Sequence, residues 1–330
     1  MILNYKLQSL RGVACVFVVY FHVVGTPLTG LQLPKDNFYA FLSDLFIYIR
    51  MPLFIFLSGY VYGYRRFSGD FKKYISGKSR RILIPFVVVS SVFLLIQTNT
   101  PGVNNPINFD IMTFFLYPYA HFWFLQSIFS IFVFYCIFDY LTKRENKKLL
   151  FLFLFSIPLF FVSGYFTDFF SFSRTLYLFP FFTFGILVNE YKLEEIKGNR
   201  LSLIIILFFS LLAINTFFLT NGSTINKVSL LAFLIGIIGS YTLLRIMFVS
   251  KFFIFIGAYS YSIYLYHVFG TAFSRIALHK IGVQSVDLHV FFGLFLGLFL
   301  PVVFHKITSR FSLPAILFLG VNPVVSKGKS

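Results

Sequence analysis

Residues 8–25 read QSLRGVACVFVVYFHVVG, a basic side chain leading into an apolar run that carries a histidine. Arg11 and His22 lie just over three helical turns apart, nearly on one face and about 16 Å from each other along the axis. That is roughly half of a bilayer core. If the stretch spans a membrane with Arg11 at one water boundary, His22 sits near mid-depth. An imidazole there needs a polar partner or a water-filled cavity, which makes it a functional-site candidate. The competing reading is a histidine that bonds a neighbouring helix and serves packing alone.

The composition supports the membrane reading. Hydrophobic residues make up 58% of the 330-residue chain and charged residues only 12%, against about 25% charged in a soluble domain. The formal charge of +17 would suggest nucleic acid if read alone, yet no RNA- or DNA-binding motif accompanies it. Basic residues gathered on one side of a membrane account for it better. Cys15 and Cys136 both lie in apolar runs and read as small buried hydrophobes. The N-terminal run lacks a convincing small-residue cleavage site and reads as a retained first helix.

The expected fold is therefore an all-α polytopic membrane protein. Ten segments are long enough to span, near 10–26, 40–62, 82–98, 115–141, 149–165, 175–191, 201–219, 228–248, 252–273 and 287–305. Pro158, Gly164 and Pro180 interrupt the fifth and sixth, where a tilted or broken helix is expected. With both termini in the cytoplasm, all but six of the 28 basic residues fall in inner segments. The exceptions are Lys35, Arg174, Lys227, Arg275 and Lys280 outside, and Arg50 within a span, an asymmetry that supports an even number of crossings. Residues 97–119 form the longest outer loop, a partial cover for a site opening outward. Residues 1–308 read as one transmembrane domain, with 309–330 as a short cytoplasmic tail whose apolar stretch 313–319 is too short to cross.

Four further clusters carry polar groups. Arg50, in Ile49-Arg50-Met51-Pro52-Leu53-Phe54, lies about 15 Å into the second span and needs a cavity, a carboxylate or a substrate; snorkelling to headgroups is the alternative. Ser58-Gly59 suits close helix packing. Lys78, Arg80 and Arg81 stand at the base of the third span, where they suit a phosphate-bearing ligand or lipid headgroups. His121-Phe122-Trp123-Phe124-Leu125-Gln126 opens the fourth span, with Trp123 as an interfacial anchor and His121 and Gln126 as outer hydrogen-bonding groups. Ser260, Tyr264 and His267 share one face of the ninth span. His279, His289 and His305 sit near interfaces. No metal-binding set is convincing: His22, His121 and His267 could converge, but no spacing demonstrates it and no zinc signature is present. From these residues alone, acyl transfer and transport of a glycolipid or polysaccharide precursor both fit, and a scaffold without turnover is a third class.

In order, these motifs resemble the integral-membrane acyltransferase family 3, which includes O-acetyltransferases of lipopolysaccharide, capsule and other surface glycans. The likeness is carried by Leu7-Gln8-Ser9-Leu10-Arg11-Gly12 with His22, Pro52-Leu53-Phe54 with Ser58-Gly59-Tyr60, and Arg80-Arg81 to Pro85. It continues in His121-Phe122-Trp123-Phe124-Leu125 and Ser262-Ile263-Tyr264-Leu265-Tyr266-His267. The resemblance implies a multi-pass protein of the bacterial cytoplasmic membrane that moves an acyl group, usually acetyl, from cytosolic acyl-CoA to a hydroxyl of an extracytoplasmic glycan. It implies that Arg11 and His22 are required; given a CoA donor with several negative charges, the cytosolic cluster of Arg11, Lys78, Arg80 and Arg81 would hold its phosphates. Lys78 stands where the family usually has arginine, and Arg50 where relatives often have another polar residue. The absence of a fused esterase-like domain suggests that the membrane domain completes the reaction itself or works with a separate partner. The pantetheine arm, roughly 15 to 20 Å when extended, is comparable to the helix rise between Arg11 and His22. His22 would serve as general base or as a transient acyl carrier, and Arg50, Tyr264 or His267 would stabilise the oxyanion, with Arg50 ranked first. His121, Trp123 and Gln126 would line the acceptor side. The implied partners are acyl-CoA, a surface polysaccharide or its lipid-linked precursor, and membrane lipids; neither nucleic acid nor a metal is expected.

Overall fold

In a computed structural model, residues 2–26, 29–101, 111–246 and 248–321 are described, and their regular structure is helical apart from one isolated bridge between Thr26 and Thr29. The helices are α1 (Ile2–Val24), α2 (Phe38–Leu45), α3 (Ile47–Gly63), α4 (Phe71–Asn99), α5 (Ile111–Leu116), α6 (Trp123–Thr142) and α7 (Asn146–Val162). They continue as α8 (Phe172–Glu190), α9 (Asn199–Thr220), α10 (Leu230–Ile246), α11 (Lys251–Ala258), α12 (Ser260–Lys280), α13 (Val286–Thr308) and α14 (Ser312–Leu319). Among the described residues, seven helices are long and apolar enough to cross a membrane, or up to nine if α2–α3 and α11–α12 each form one bent span. The shorter apolar α10, at 17 residues, occupies the segment expected at 228–248. Helices α7, α9 and α13 leave Phe151, Leu203, Phe217 and Phe291 exposed, an apolar outer surface that suits lipid.

The breaks fall elsewhere than the prolines suggest. Pro158 and Pro180 lie inside the continuous helices α7 and α8, and Gly164 belongs to a short turn after α7. Apolar helices tolerate proline where neighbouring groups take over the freed backbone bonds. The bends are instead 42° between α2 and α3 and 84° between α11 and α12. The second bend has a packing cause. A Cβ on Gly12 would meet the Phe253 carbonyl oxygen at 2.1 Å, and one on Gly257 would meet that of Gln8 at 1.9 Å. The Ser250 N–H also donates to Ser9 Oγ at 3.1 Å. These contacts hold α11 flat against α1, so the chain must turn sharply to start α12. Gly257→Val is expected to cost about 3 kcal/mol, the upper range for overpacking, because the obstacle is backbone. Thermal unfolding of the detergent-solubilised protein checks this.

Helices α3 and α8 cross just as closely, since a Cβ on Gly59 would meet the Phe182 oxygen at 2.0 Å and one on Gly185 that of Phe56 at 2.2 Å. Ser58-Gly59 is thus a packing site, as its small residues suggest. Just past the C-terminal end of α3, Arg66 is locked to Asp139, with Nε at 3.0 Å from Oδ1, while Tyr62 donates to Oδ2 at 2.7 Å. Burial opposes the Arg66 charge, but Asp139 and Glu190 outweigh it and raise its pKa.

The stretch expected as a tail belongs in part to the bundle. Ala315 and Leu319 of α14 are buried, the Tyr266 hydroxyl donates to the Phe318 carbonyl at 2.6 Å, and Gly320, at φ 65°, lies against the backbone of Arg80 and Arg81. Residues 322–330 lie outside the described part. Both cysteines are free and buried.

Candidate active site

Helix α1 starts at Ile2 and ends at Val24, where Gly25 takes a φ of 83° and its N–H closes on the Phe21 carbonyl at 2.7 Å. His22 therefore occupies the last turn of its helix. Around it the bundle gathers two more imidazoles. The His22 ring centroid is 4.7 Å from that of His267 on α12 and 6.1 Å from that of His121, and those two are 4.9 Å apart. The convergence that spacing did not reveal is thus present in the fold.

Hydrogen bonds set the protons of two of the rings. His267 Nδ1 lies 2.9 Å from the carbonyl oxygens of Ile263 and Tyr264, and His121 Nε2 lies 3.1 Å from that of Leu265. Carbonyls only accept, so in the neutral rings the proton is on Nδ1 of His267 and on Nε2 of His121. The opposite nitrogens, His267 Nε2 and His121 Nδ1, are buried and have no hydrogen-bond partner among the described residues. Each offers a lone pair, and the ring nearest His267 is His22. His121 and His267 are closed off, at 3% and 0% exposure, whereas His22 keeps partial exposure. The cluster is therefore one accessible imidazole backed by two buried acceptors.

Supporting groups hold this arrangement. Tyr264 donates its hydroxyl to the His121 carbonyl, so it positions the turn that presents His121; Ala120 in that turn has a φ of 43°, a strained value for a residue with a Cβ. Arg50, 9% exposed in the first turns of α3, places its guanidinium 3.5 Å from the Phe21 ring centroid. It forms no ion pair among the described residues, and its Phe21 platform meets the His22 ring edge-on at 5.1 Å. Three turns before His22, midway along α1, Arg11 lies within electrostatic reach of Arg81, and Arg81 within that of Lys78. The Lys78 ammonium sits 3.3 Å from the Phe132 ring centroid. Arg80 is exposed.

A family model for an acyltransferase domain matches residues 4–306. The chain belongs to acyltransferase family 3. Neither the curated proteins nor the solved structures contain a match.

Within this acyltransferase, the expected acceptor-side residues do not form one set. Gln126 is committed at both ends of its amide, donating to the Phe115 carbonyl at 2.8 Å and accepting from Ser171. Trp123 faces Arg174, whose guanidinium lies 5.2 Å from the indole and which pairs with Asp168 at 3.1 Å. Residues 102–110 of the expected covering loop lie outside the described residues. His305 bonds Ser262 at 2.7 Å, and His279 and His289 form a separate pair 4.8 Å apart. Among the described residues, no group of three or more His, Cys, Asp or Glu is arranged to hold a metal ion. Phe21, the platform under Arg50, escaped the reading from sequence because an aromatic in a run of apolar residues carries no signal of its own.

Proposed function

We propose that the acyltransferase moves an acyl group, acetyl in the first instance, from cytosolic acyl-CoA to a hydroxyl of an extracytoplasmic glycan such as capsule, O-antigen or exopolysaccharide. The observation that carries this reading is the imidazole cluster, in which an accessible His22 is backed by the unpaired acceptor nitrogen of His267. Ten spans, with both termini and the basic end of α1 in the cytosol of a bacterial inner membrane, complete the proposal; the charge asymmetry of the loops supports that orientation.

In the reaction, His22 accepts the proton of the acceptor hydroxyl as its oxygen attacks the thioester carbonyl. The imidazolium that results can donate to the lone pair of His267. The tetrahedral oxyanion forms beside the Arg50 guanidinium, whose charge persists at any working pH. The carbon–sulfur bond then breaks, the CoA thiolate leaves, and the proton held by His22 passes to it. An acyl-His22 intermediate is the covalent variant of the same chemistry. We assign Tyr264 to positioning His121, since its hydroxyl is already engaged. Transport of a glycolipid or polysaccharide precursor without acyl transfer remains the competing class, and the intramembrane Arg50 and the two bent spans are what favour it.

Comparing surface polysaccharide from strains with and without the protein, by mass spectrometry and proton spectra of ester groups, tests the proposal. The expected result is loss of an acyl ester in the deletion strain; an unchanged ester content together with retention of glycan precursors inside the cell would favour transport. Arg11→Ala is expected to raise KM for the acyl-CoA about tenfold, the value of one charge-assisted contact, with KM for the acceptor unchanged. Steady-state kinetics with each substrate varied in turn checks this.

A further inference from the structure

A cavity of about 990 Å³ opens at the basic end of the bundle, lined by residues of the α3–α4 connection, the α6–α7 connection and Glu190. Its volume is at the upper end of the range for small-molecule sites. Arg65, Lys73, Lys143 and Arg144 line it, and none of the four forms an ion pair among the described residues. Arg66, also in the wall, is spent differently. Its guanidinium is locked to Asp139 and donates to the Arg144 carbonyl at 3.3 Å and to Asn146 Oδ1 at 3.2 Å. One buried cation thereby fixes the turn that carries two others.

That turn is strained. Lys143 and Arg144 both adopt left-handed backbone, at φ 51° and 62°, where side chains with a Cβ are disfavoured. Glycine would sit there more easily, so two adjacent cations at such positions mark a site where charge is worth more than backbone comfort. Asn146 begins α7 with Glu145 as its N-cap residue, whose carboxylate is paired with Lys148.

The cavity adjoins the basic stripe of α4. Tyr74 lines it, and Tyr74, Lys78 and Arg81 follow one stripe of α4 at i, i+4 and i+7 spacing. The Lys78 ammonium lies 5.4 Å from the Tyr74 ring centroid, and Arg81 is the electrostatic neighbour of Arg11. Lys78 and Arg81, about one turn apart, thus lead from the Tyr74 wall of the cavity toward Arg11 on the helix that carries His22.

Resting on the acyl-CoA reading above, we infer that this cavity holds the 3′-phosphorylated adenosine end of the donor, with Lys143 and Arg144 on the 3′-phosphate. The diphosphate then lies along Lys78, Arg81 and Arg11. The cavity and its unpaired cations suit a phosphate dianion attached to a bulky planar group better than a bare headgroup.

The test uses the full chain in neutral phosphatidylcholine nanodiscs and the double variant Lys143→Gly/Arg144→Gly, which removes both charges at positions where glycine relieves the backbone. Adenosine 3′,5′-bisphosphate is titrated calorimetrically, and KM is measured for acetyl-CoA and for acetyl-dephospho-CoA, which lacks the 3′-phosphate. Bisphosphate affinity is expected to fall at least about tenfold, and KM to rise similarly for acetyl-CoA alone. Equal penalties with both donors, or unchanged bisphosphate binding, overturn the assignment. Arg65→Ala, outside the strained turn, provides a second variant with the same expected direction. If the cavity serves an anionic headgroup instead, bisphosphate does not bind in neutral nanodiscs and the variant alters only retention of phosphatidylglycerol, which also overturns it. Bisphosphate binding that is lost in the variant, in a protein that does not consume acetyl-CoA, would keep the nucleotide site and reject the acyl-transfer reading.

Discussion

His22→Ala is expected to lower glycan acylation by about 10²- to 10⁴-fold, the range for loss of a positioned general base, while expression, membrane insertion and thermal unfolding stay near wild type. Stability should survive because His22 is partly exposed at the end of α1, so the change removes no buried anchor. The KM for acyl-CoA should change little, since the donor phosphates are assigned to groups about 16 Å away along the helix. Ester formation measured over time with purified protein checks the rate, and a substrate-binding titration checks the affinity. Near-normal turnover would remove His22 from the chemistry. A covalent acyl-enzyme route predicts in addition that the wild-type protein, given acyl-CoA without acceptor, gains one acyl mass at a peptide containing residue 22.

The second large effect is expected at His267, to which we assign the role of receiving a hydrogen bond from the protonated His22 without touching substrate. His267→Leu should reduce kcat by about 10²-fold, at the low end of general-base contributions, and leave both KM values within a factor of two or so. A structural role alone would lower the amount of folded protein and leave the kcat of what remains. His267→Gln separates the two cases. Its amide oxygen accepts a hydrogen bond, so it should retain several-fold more activity than the leucine variant, although both variants give up the bonds to Ile263 and Tyr264 that His267 Nδ1 makes. Equal activity of the two variants would assign His267 to packing.

Much of this was legible in the sequence, for reasons that differ by element. The helical class and the positions of the hydrophobic segments follow from composition and length, because a bilayer leaves so few backbone solutions. His22, Arg50 and His267 stood out because polar groups in apolar runs are costly and need a reason. Their convergence was not legible. His121 and His267 meet through a bond from the first ring to the Leu265 carbonyl, a pairing across more than a hundred residues that no local pattern encodes. The sharp turn between α11 and α12 was hidden for the same reason: its cause is the contact of Gly257 with Gln8 and of Gly12 with Phe253. Prolines drew attention to α7 and α8 instead, where the helices absorb them. Gln126 looked free to meet an acceptor, yet Phe115 and Ser171 consume its amide. The cavity beside Lys143 and Arg144 read only as charge on inner loops, because left-handed backbone at those two residues is invisible until the turn is built.

The central claim is that one imidazole is reached by a thioester from the cytosolic side and by an alcohol from the other. Proteoliposomes with the basic end of the bundle facing the lumen, loaded with acetyl-labelled acetyl-CoA and given glycan from a deletion strain outside, test it most directly. The account predicts labelled ester on the external glycan with the wild-type protein and at most one hundredth of that rate with His22→Ala. Labelling that requires donor and glycan in the same compartment, or that proceeds equally without His22, would contradict it.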